Sequence, residues 1–410
     1  MFQLDLWLEI FNTFRKNKLR TILTGFSVFW GIFILIILLG SGEGLKHAVE
    51  SGYSGAKNRI SLSGGRTSKA YAGYKVGRSI NITLTDFQLL KSKIRKLAHI
   101  CPLYNMWSNG VTYKKELVNF NQISGTVPDI IYTMNFEMTM GRNLNDNDIK
   151  NSNKCIIINE YARKLLFKDE DCLGKFLKIS NIPFQVIGVY NNDTRWVKSN
   201  PLGIVPISVV QKIFNAGINV HFIDLDLKDV SSAESFSIVQ DMRKLLSPVH
   251  QVDPTDESAM YITNVIEEYA KSMMLIYIIK LFVLLIGIGT IIAGVVGVSN
   301  IMIISVKERT KEIGIRKAIG AKPINIIGHI LTESLVITIF FGYTGLVAGV
   351  IILQTIIKLI PRNDMFINPQ VQIGTAMFAL LILVLAGLIA GYIPARRAAM
   401  IRPIVALRDE

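Results

Sequence analysis

At 410 residues the chain has room for two or three domains, and half of its residues are hydrophobic. A mean hydropathy of +0.37 excludes an ordinary soluble protein of this size. The net charge of +14 gathers largely beside long apolar runs, where anionic headgroups account for it, and no zinc-finger spacing or RNA-binding aromatic signature points to nucleic acid.

The chain opens with Leu4, Trp7, Leu8, Phe11 and Phe14 at helical spacing, with Asp5, Glu9, Thr13 and Lys16 opposite. This predicts an amphipathic helix over residues 1–20 lying in a membrane interface. Ile22–Leu39 is uncharged and long enough to cross roughly 30 Å of hydrocarbon. The run is long for a signal peptide, and Ser41-Gly-Glu-Gly-Leu-Lys-His offers no small-x-small cleavage site. Residues 21–42 are therefore expected to be an uncleaved first span with the N-terminus inside.

Residues 43–272 contain no spanning segment, and their mixed composition predicts an α+β domain. Arg59–Ser63, Val111–Tyr113, Cys155–Ile158, Phe176–Ile179 and Phe184–Val189 read as strands from their β-branched and aromatic content. Thr85–Leu97 and Glu160–Phe167 read as helices, with Thr85 and Asp86 supplying a cap. Cys101, Cys155 and Cys172 have no metal-ligand spacing and no histidine at a suitable interval, so buried free thiols are expected, with one disulfide left open. Asp224 and Asp226, like Glu267 and Glu268, read as solvated acids. Leu62-Ser-Gly-Gly-Arg66 mimics a nucleotide-contacting signature loop, but the sequence holds no G-x-x-x-x-G-K-[ST] string to accompany it. It reads as a glycine turn after a strand. The five histidines are scattered, so no catalytic residue and no metal ligand is assigned.

Near Thr263 the pattern turns helical and runs without a breaker into a second span, residues 273–304 with its stalk. A helix continuous from the outer domain into the membrane would act as a stiff lever. Lys280 is expected to snorkel to the headgroups. Gly289, Ala293 and Gly297 form a small-xxx-small row, and Gly345/Gly349 and Gly387/Gly391 repeat that pattern in two later spans. Each row predicts close helix packing, within or between subunits.

Residues 305–323 are a charged island between apolar runs, predicting a short amphipathic helix on the cytoplasmic side. Glu308, Glu312 and Arg316 are spaced to pair along one face, and Ile315 and Ile319 form an apolar stripe on another. Gly320 is placed to end this helix and Pro323 to open the next. Residues 324–358 form the third span, in which Glu333 is expected to be hydrogen-bonded within the bundle near the inner interface. Residues 359–372 make a short outer loop, 373–393 the fourth span and 394–410 a cytoplasmic tail. The fold class expected is a membrane α-helical protein with four transmembrane helices and a large α+β extracytoplasmic domain between helices 1 and 2.

The string Glu312-Ile-Gly-Ile-Arg-Lys-Ala-Ile-Gly-Ala321 resembles the cytoplasmic coupling helix of ABC-transporter permeases of the MacB/FtsX type. Gly125-Thr-Val-Pro-Asp, Gly141-Arg-Asn-Leu, Ile158–Phe167, Leu173-Gly-Lys and Phe184-Gln-Val-Ile-Gly188 are similar to pieces of that family's extracytoplasmic domain. Pro394-Ala-Arg-Arg-Ala-Ala and Pro403-Ile-Val-Ala-Leu resemble its C-terminal signature. The resemblance implies that Lys311, Glu312, Ile313, Gly314, Ile315, Arg316, Lys317, Ala318, Ile319, Gly320 and Ala321 transmit the motion of an ATPase. MacB members carry that ATPase at their N-terminus, whereas this chain begins with the interfacial helix. A separate ATPase subunit binding the ATP and Mg is therefore implied, with no cofactor on this chain and no enzymatic activity of its own. The resemblance further implies a homodimer in the bacterial inner (plasma) membrane, in contact with membrane lipids, both termini cytoplasmic. It implies efflux with a periplasmic adaptor and an outer-membrane channel as partners. Lipoprotein release, regulation of a cell-wall hydrolase, and a non-transporting sensor or scaffold are the alternatives.

Overall fold

The computed structural model describes residues 18–53, 55–106, 110–118, 123–191, 202–359 and 373–400. The interfacial helix expected before residue 18, the outer loop and the end of the C-terminal signature lie outside the described residues. The chain divides into two compact units, Val49–Met273 and the remainder.

Among the described residues, four helices are long and apolar enough to cross a membrane, and they make up most of the second unit. They are α1 (Lys18–Gly52), α8 (Val265–Glu308), α10 (Pro323–Leu359) and α11 (Ile373–Ala399). Helix α1 runs ten residues past the expected end of the first span, through Gly42 and Gly44. Helix α11 runs past Pro394, where a tail was expected to begin. A proline inside a helix costs about 3 kcal/mol, but Ala395 and Ala398 are fully buried in the bundle, and packing carries the helix onward. Backbones meet where side chains are missing. A Cβ on Gly345 would stand 2.5 Å from the Phe29 carbonyl oxygen, and one on Gly349 2.9 Å from the Ile36 side chain. Gly387 and Gly391 sit against Thr338 and Ser334 in the same way. On α8 the residues facing α1 are Gly287, against Leu35, and Gly294, against Ser27 and Val28. Gly297 also touches Ser27, while Gly289 has nothing within 4 Å and Ala293 is exposed. Lys280 does not simply snorkel: its ammonium pairs with Glu43 on α1 at 2.5 Å.

The unit Val49–Met273 is built on a twelve-stranded sheet. In chain order its strands are β1 (Arg59–Gly64), β3 (Leu97–Met106), β4 (Val111–Tyr113), β5 (Glu116–Val118), β6 (Ile123–Thr126), β7 (Glu137–Gly141), β8 (Cys155–Asn159), β9 (Phe176–Ile179), β10 (Ile182–Asn191), β11 (Gly203–Pro206), β13 (Phe222–Leu227) and β14 (Met260–Asn264). Their spatial order is β14-β1-β13-β3-β6-β11-β8-β10-β9-β4-β5, with β7 on β10; β2 (Ile82–Thr83) and β12 (Asn219–Val220) pair separately. Pairing is antiparallel except for β8 with β10 and β6 with β11. Helices α2 (Leu84–Lys93), α3 (Ile130–Thr133), α4 (Asp146–Lys150), α5 (Glu160–Phe167), α6 (Ile207–Ile213) and α7 (Ser232–His250) accompany it. The class is α+β, as the composition predicts.

Four local expectations are corrected. The cap of α2 is Thr83, not Thr85: Asp86 N–H donates to Thr83 Oγ1, and Thr83 N–H donates to Asp86 Oδ2 at 2.8 Å. The helix stops at Lys93, because Ile94 is extended and Lys96 has φ +59°, so Leu97 already belongs to β3. Leu62–Arg66 is not a turn. Strand β1 runs to Gly64, and a Cβ there would stand 2.0 Å from the Ile80 carbonyl oxygen, so the glycine serves backbone approach. Asp224 is not solvated; it is 4% exposed and accepts from Ser61 Oγ, with Arg59 3.9 Å away. Burial raises its pKa, against the opposing pull of Arg59 and Ser61. The three cysteines are buried and free.

Candidate functional site

Helix α8 ends at Glu308, and Arg309, with φ −100° and ψ 16°, bends the chain into α9 (Thr310–Ala318). Thr310 Oγ1 donates back to the Lys307 carbonyl at 2.8 Å, holding the bend. At the other end Gly320 takes φ +99°, a left-handed conformation that a side chain would strain. Gly320 N–H then donates to the Lys317 carbonyl and Ala321 N–H to the Arg316 carbonyl, both at 3.0 Å. This is a Schellman closure, which satisfies carbonyls the helix end would otherwise leave open. Pro323 is the first residue of α10, where its missing N–H costs nothing.

One face of α9 is fixed to the bundle. Ile313 is 9% exposed and packs in the same apolar cluster as Ile326, Ile330, Ala395 and Ala398. Gly314 beside it is buried as well. Lys317 Nζ donates to the Ala399 carbonyl at 2.7 Å, tying α9 to the end of α11. Arg309 Nη1 reaches Glu333 Oε2 on α10 at 3.2 Å, and Glu333 is 6% exposed. A carboxylate so placed is costly without a charged partner, and the guanidinium supplies one. The fourth contact lies within the helix: Arg316 pairs with Glu312 at 2.7 Å, one helical turn away.

The opposite face is bare. Lys311, Glu312 and Ala318 are exposed, and so are Ile315 at 44% and Ile319 at 82%. Two large aliphatic side chains thus stand out from a helix that is otherwise charged. Burying either of them is worth about 1.5–3 kcal/mol. Between this helix and the ends of α8 and α10 lies a cavity of about 590 Å³. Met302, Val306, Ile326 and Ile330 give it an apolar wall, and its polar lining is Arg309, Glu312, Arg316 and Glu333 with Ser305, Asn325 and His329.

The structure therefore brings Lys311 to Ala321 together as one capped helix and turn, with Ile313, Gly314 and Lys317 facing the bundle. The small-residue positions are spread along α8, α10 and α11 and take no part in this surface. Sequence spacing did not find Arg309 or Ala399. A lone acid in an apolar run marked Glu333 as needing a partner, but a contact across 24 residues has no local signal.

Comparison with known proteins agrees with this architecture. A family profile described as MacB-like periplasmic core domain matches residues 21–238, just over half of the chain. A second, described as FtsX-like permease C-terminal, matches residues 272–403. The chain is 28% identical over 417 residues to the uncharacterized ABC transporter permease YvrN of Bacillus subtilis (strain 168), covering 98% of each. It is 25% identical over 405 residues to the macrolide export ATP-binding/permease protein MacB of Bdellovibrio bacteriovorus, covering 98% of this chain and 61% of that protein. Relative to MacB, the chain thus spans only about three-fifths of the length. The solved periplasmic region of MacB from Actinobacillus actinomycetemcomitans aligns with a TM-score of 0.44 at 20% identity, over 55% of this chain and 97% of that one.

Proposed function

The chain belongs to the MacB/FtsX-like ABC transporter permeases, and from that premise we propose that it couples ATP hydrolysis by a separate ATPase subunit to conformational change of its extracytoplasmic domain. The observation that carries this reading is the two-faced helix α9. Ile313 and Lys317 hold it to the bundle, while Ile315 and Ile319 offer an apolar stripe to a partner. A push on that stripe passes to α8 and α10, which join α9 directly at Arg309 and Pro323. ATP and its Mg are bound and turned over on the partner. The working unit is a homodimer. Export is the output favoured, in an assembly with a periplasmic adaptor and outer-membrane channel, because the relatives named MacB are macrolide export proteins.

The test is Ile315→Asp. Burying an unpaired carboxylate costs several kcal/mol, and each 1.4 kcal/mol is tenfold in affinity. Association with the cognate ATPase should fall at least about a hundredfold while insertion and the fold of the extracytoplasmic domain are kept. Co-purification of the pair and ATP turnover after reconstitution read this out. If both are unchanged, α9 is a topology-setting loop and a scaffold or sensor role moves ahead of transport.

A further inference from the structure

The cavity beside α9 lies where two spanning helices end and charged residues begin, which is the depth of lipid headgroups. Its size falls within the range of about 300–1,000 Å³ typical of small-molecule sites. Its charge is balanced: Arg309 and Arg316 against Glu312 and Glu333. A purely anionic headgroup would gain from the arginines but meet the carboxylates. Glu333 adds a further condition. It is 6% exposed, its Oε2 is taken by Arg309, and among the described residues its Oε1 accepts no hydrogen bond. That oxygen is not enclosed by protein: it opens onto the cavity that Glu333 lines, where a bound N–H group can donate to it. A quaternary ammonium has no N–H to give, whereas a primary ammonium has three.

We propose that this cavity binds the headgroup of a zwitterionic phospholipid carrying a primary amine. The phosphodiester lies against the guanidiniums of Arg309 and Arg316, the ammonium donates to Glu333, and the glycerol end of the acyl chains covers Met302, Val306, Ile326 and Ile330. The occupant is a lipid rather than a soluble phosphoamine because one wall of the cavity is apolar. A lipid seated here would wedge between α9 and the spans it joins, so its binding would alter how α9 moves.

The experiment uses the full chain, delipidated in detergent, and native mass spectrometry with an equimolar mixture of phosphatidylethanolamine, phosphatidylglycerol and phosphatidylcholine of identical acyl chains. Phosphatidylethanolamine should be retained at least about tenfold over each of the others, the ratio expected for one hydrogen-bonded charge pair. Glu333→Gln should bring its advantage over phosphatidylcholine close to one. Ser305→Phe fills the cavity and leaves the Arg309–Glu333 pair in place, and it should abolish retention of the first lipid; it carries the test if Glu333→Gln does not fold. Soluble phosphoethanolamine at the same concentration should not displace the lipid. Equal or better retention of phosphatidylglycerol, no lipid retained, a preference indifferent to both substitutions, or displacement by soluble phosphoethanolamine would each overturn the proposal.

Discussion

Asp148, in α4, is 2% exposed, yet it accepts from both Nη atoms of Arg142, at 2.6 and 3.2 Å, from the Asn153 amide and from the Asn145 N–H. Burial alone would raise its pKa, but these donors outweigh burial and hold it at about 2. A folded pKa below the ordinary carboxylate value means that the group stabilises the fold above about pH 4 and loses that contribution as pH falls through 2. Asp148→Asn should therefore cost roughly 2 kcal/mol at pH 7 and almost nothing near pH 2. Thermal unfolding of the extracytoplasmic domain within the intact chain should show a Tm lower by roughly 4–8 °C at neutral pH. The two curves should converge in acid, and a constant gap at every pH would show that Asp148 acts through shape, not charge. Within Asn145-Asp-Asn-Asp-Ile the capping box singles out Asp148, which exchanges bonds with Asn145, over the exposed Asp146. The charged partner, Arg142, has no such local signal.

Among the elements, what the sequence made legible was local. The end of α9 at Gly320 and the start of α10 at Pro323 follow from backbone rules that involve only neighbours. Strands β4 and β9 and helix α5 were bounded correctly by composition alone. Contacts between elements were not legible, because they depend on partners tens of residues away: the strand order of the sheet, Lys280 with Glu43, Arg309 with Glu333 and Lys317 with Ala399. The small-residue rows show why. Helix α8 carries Gly287, Gly289, Ala293, Gly294 and Gly297, so several rows can be drawn, and spacing cannot say which face meets α1. The structure selects Gly287, Gly294 and, of the predicted row, Gly297. Gly345→Leu should then clash with the Phe29 backbone and cost at least about 1–3 kcal/mol of bundle stability. Gly289→Leu should leave the monomer's stability unchanged. Thermal aggregation of the two purified variants separates them, and a loss of stability in Gly289→Leu equal to that in Gly345→Leu would contradict this packing of α8. Cross-linking of the same Gly289→Leu protein reads a different question, whether that exposed face meets a second copy.

For the whole molecule, the arrangement of spans fixes which surfaces share a side of the membrane. One span separates the segment around Lys75 from α9, because α8 alone crosses between them. The positive-inside rule predicts that the basic cluster at Lys307, Arg309, Lys311, Arg316, Lys317 and Lys322 faces the cytoplasm. The extracytoplasmic domain then lies on the other, and an ATPase that reaches α9 from the cytoplasm needs this orientation. Single cysteines at Lys75 and Lys311, both exposed, can decide it. The native thiols will contribute little background. Cys101, Cys155 and Cys172 are buried, and burial, with Asp148 nearby, pushes the Cys155 pKa up to about 12, so almost no thiolate is present near neutral pH. A membrane-impermeant maleimide added to intact spheroplasts should label Lys75→Cys and spare Lys311→Cys. Permeabilisation should make the second react as fast as the first. Labelling of Lys311→Cys before permeabilisation would invert the topology, and with it α9 would lose its access to any cytoplasmic ATPase.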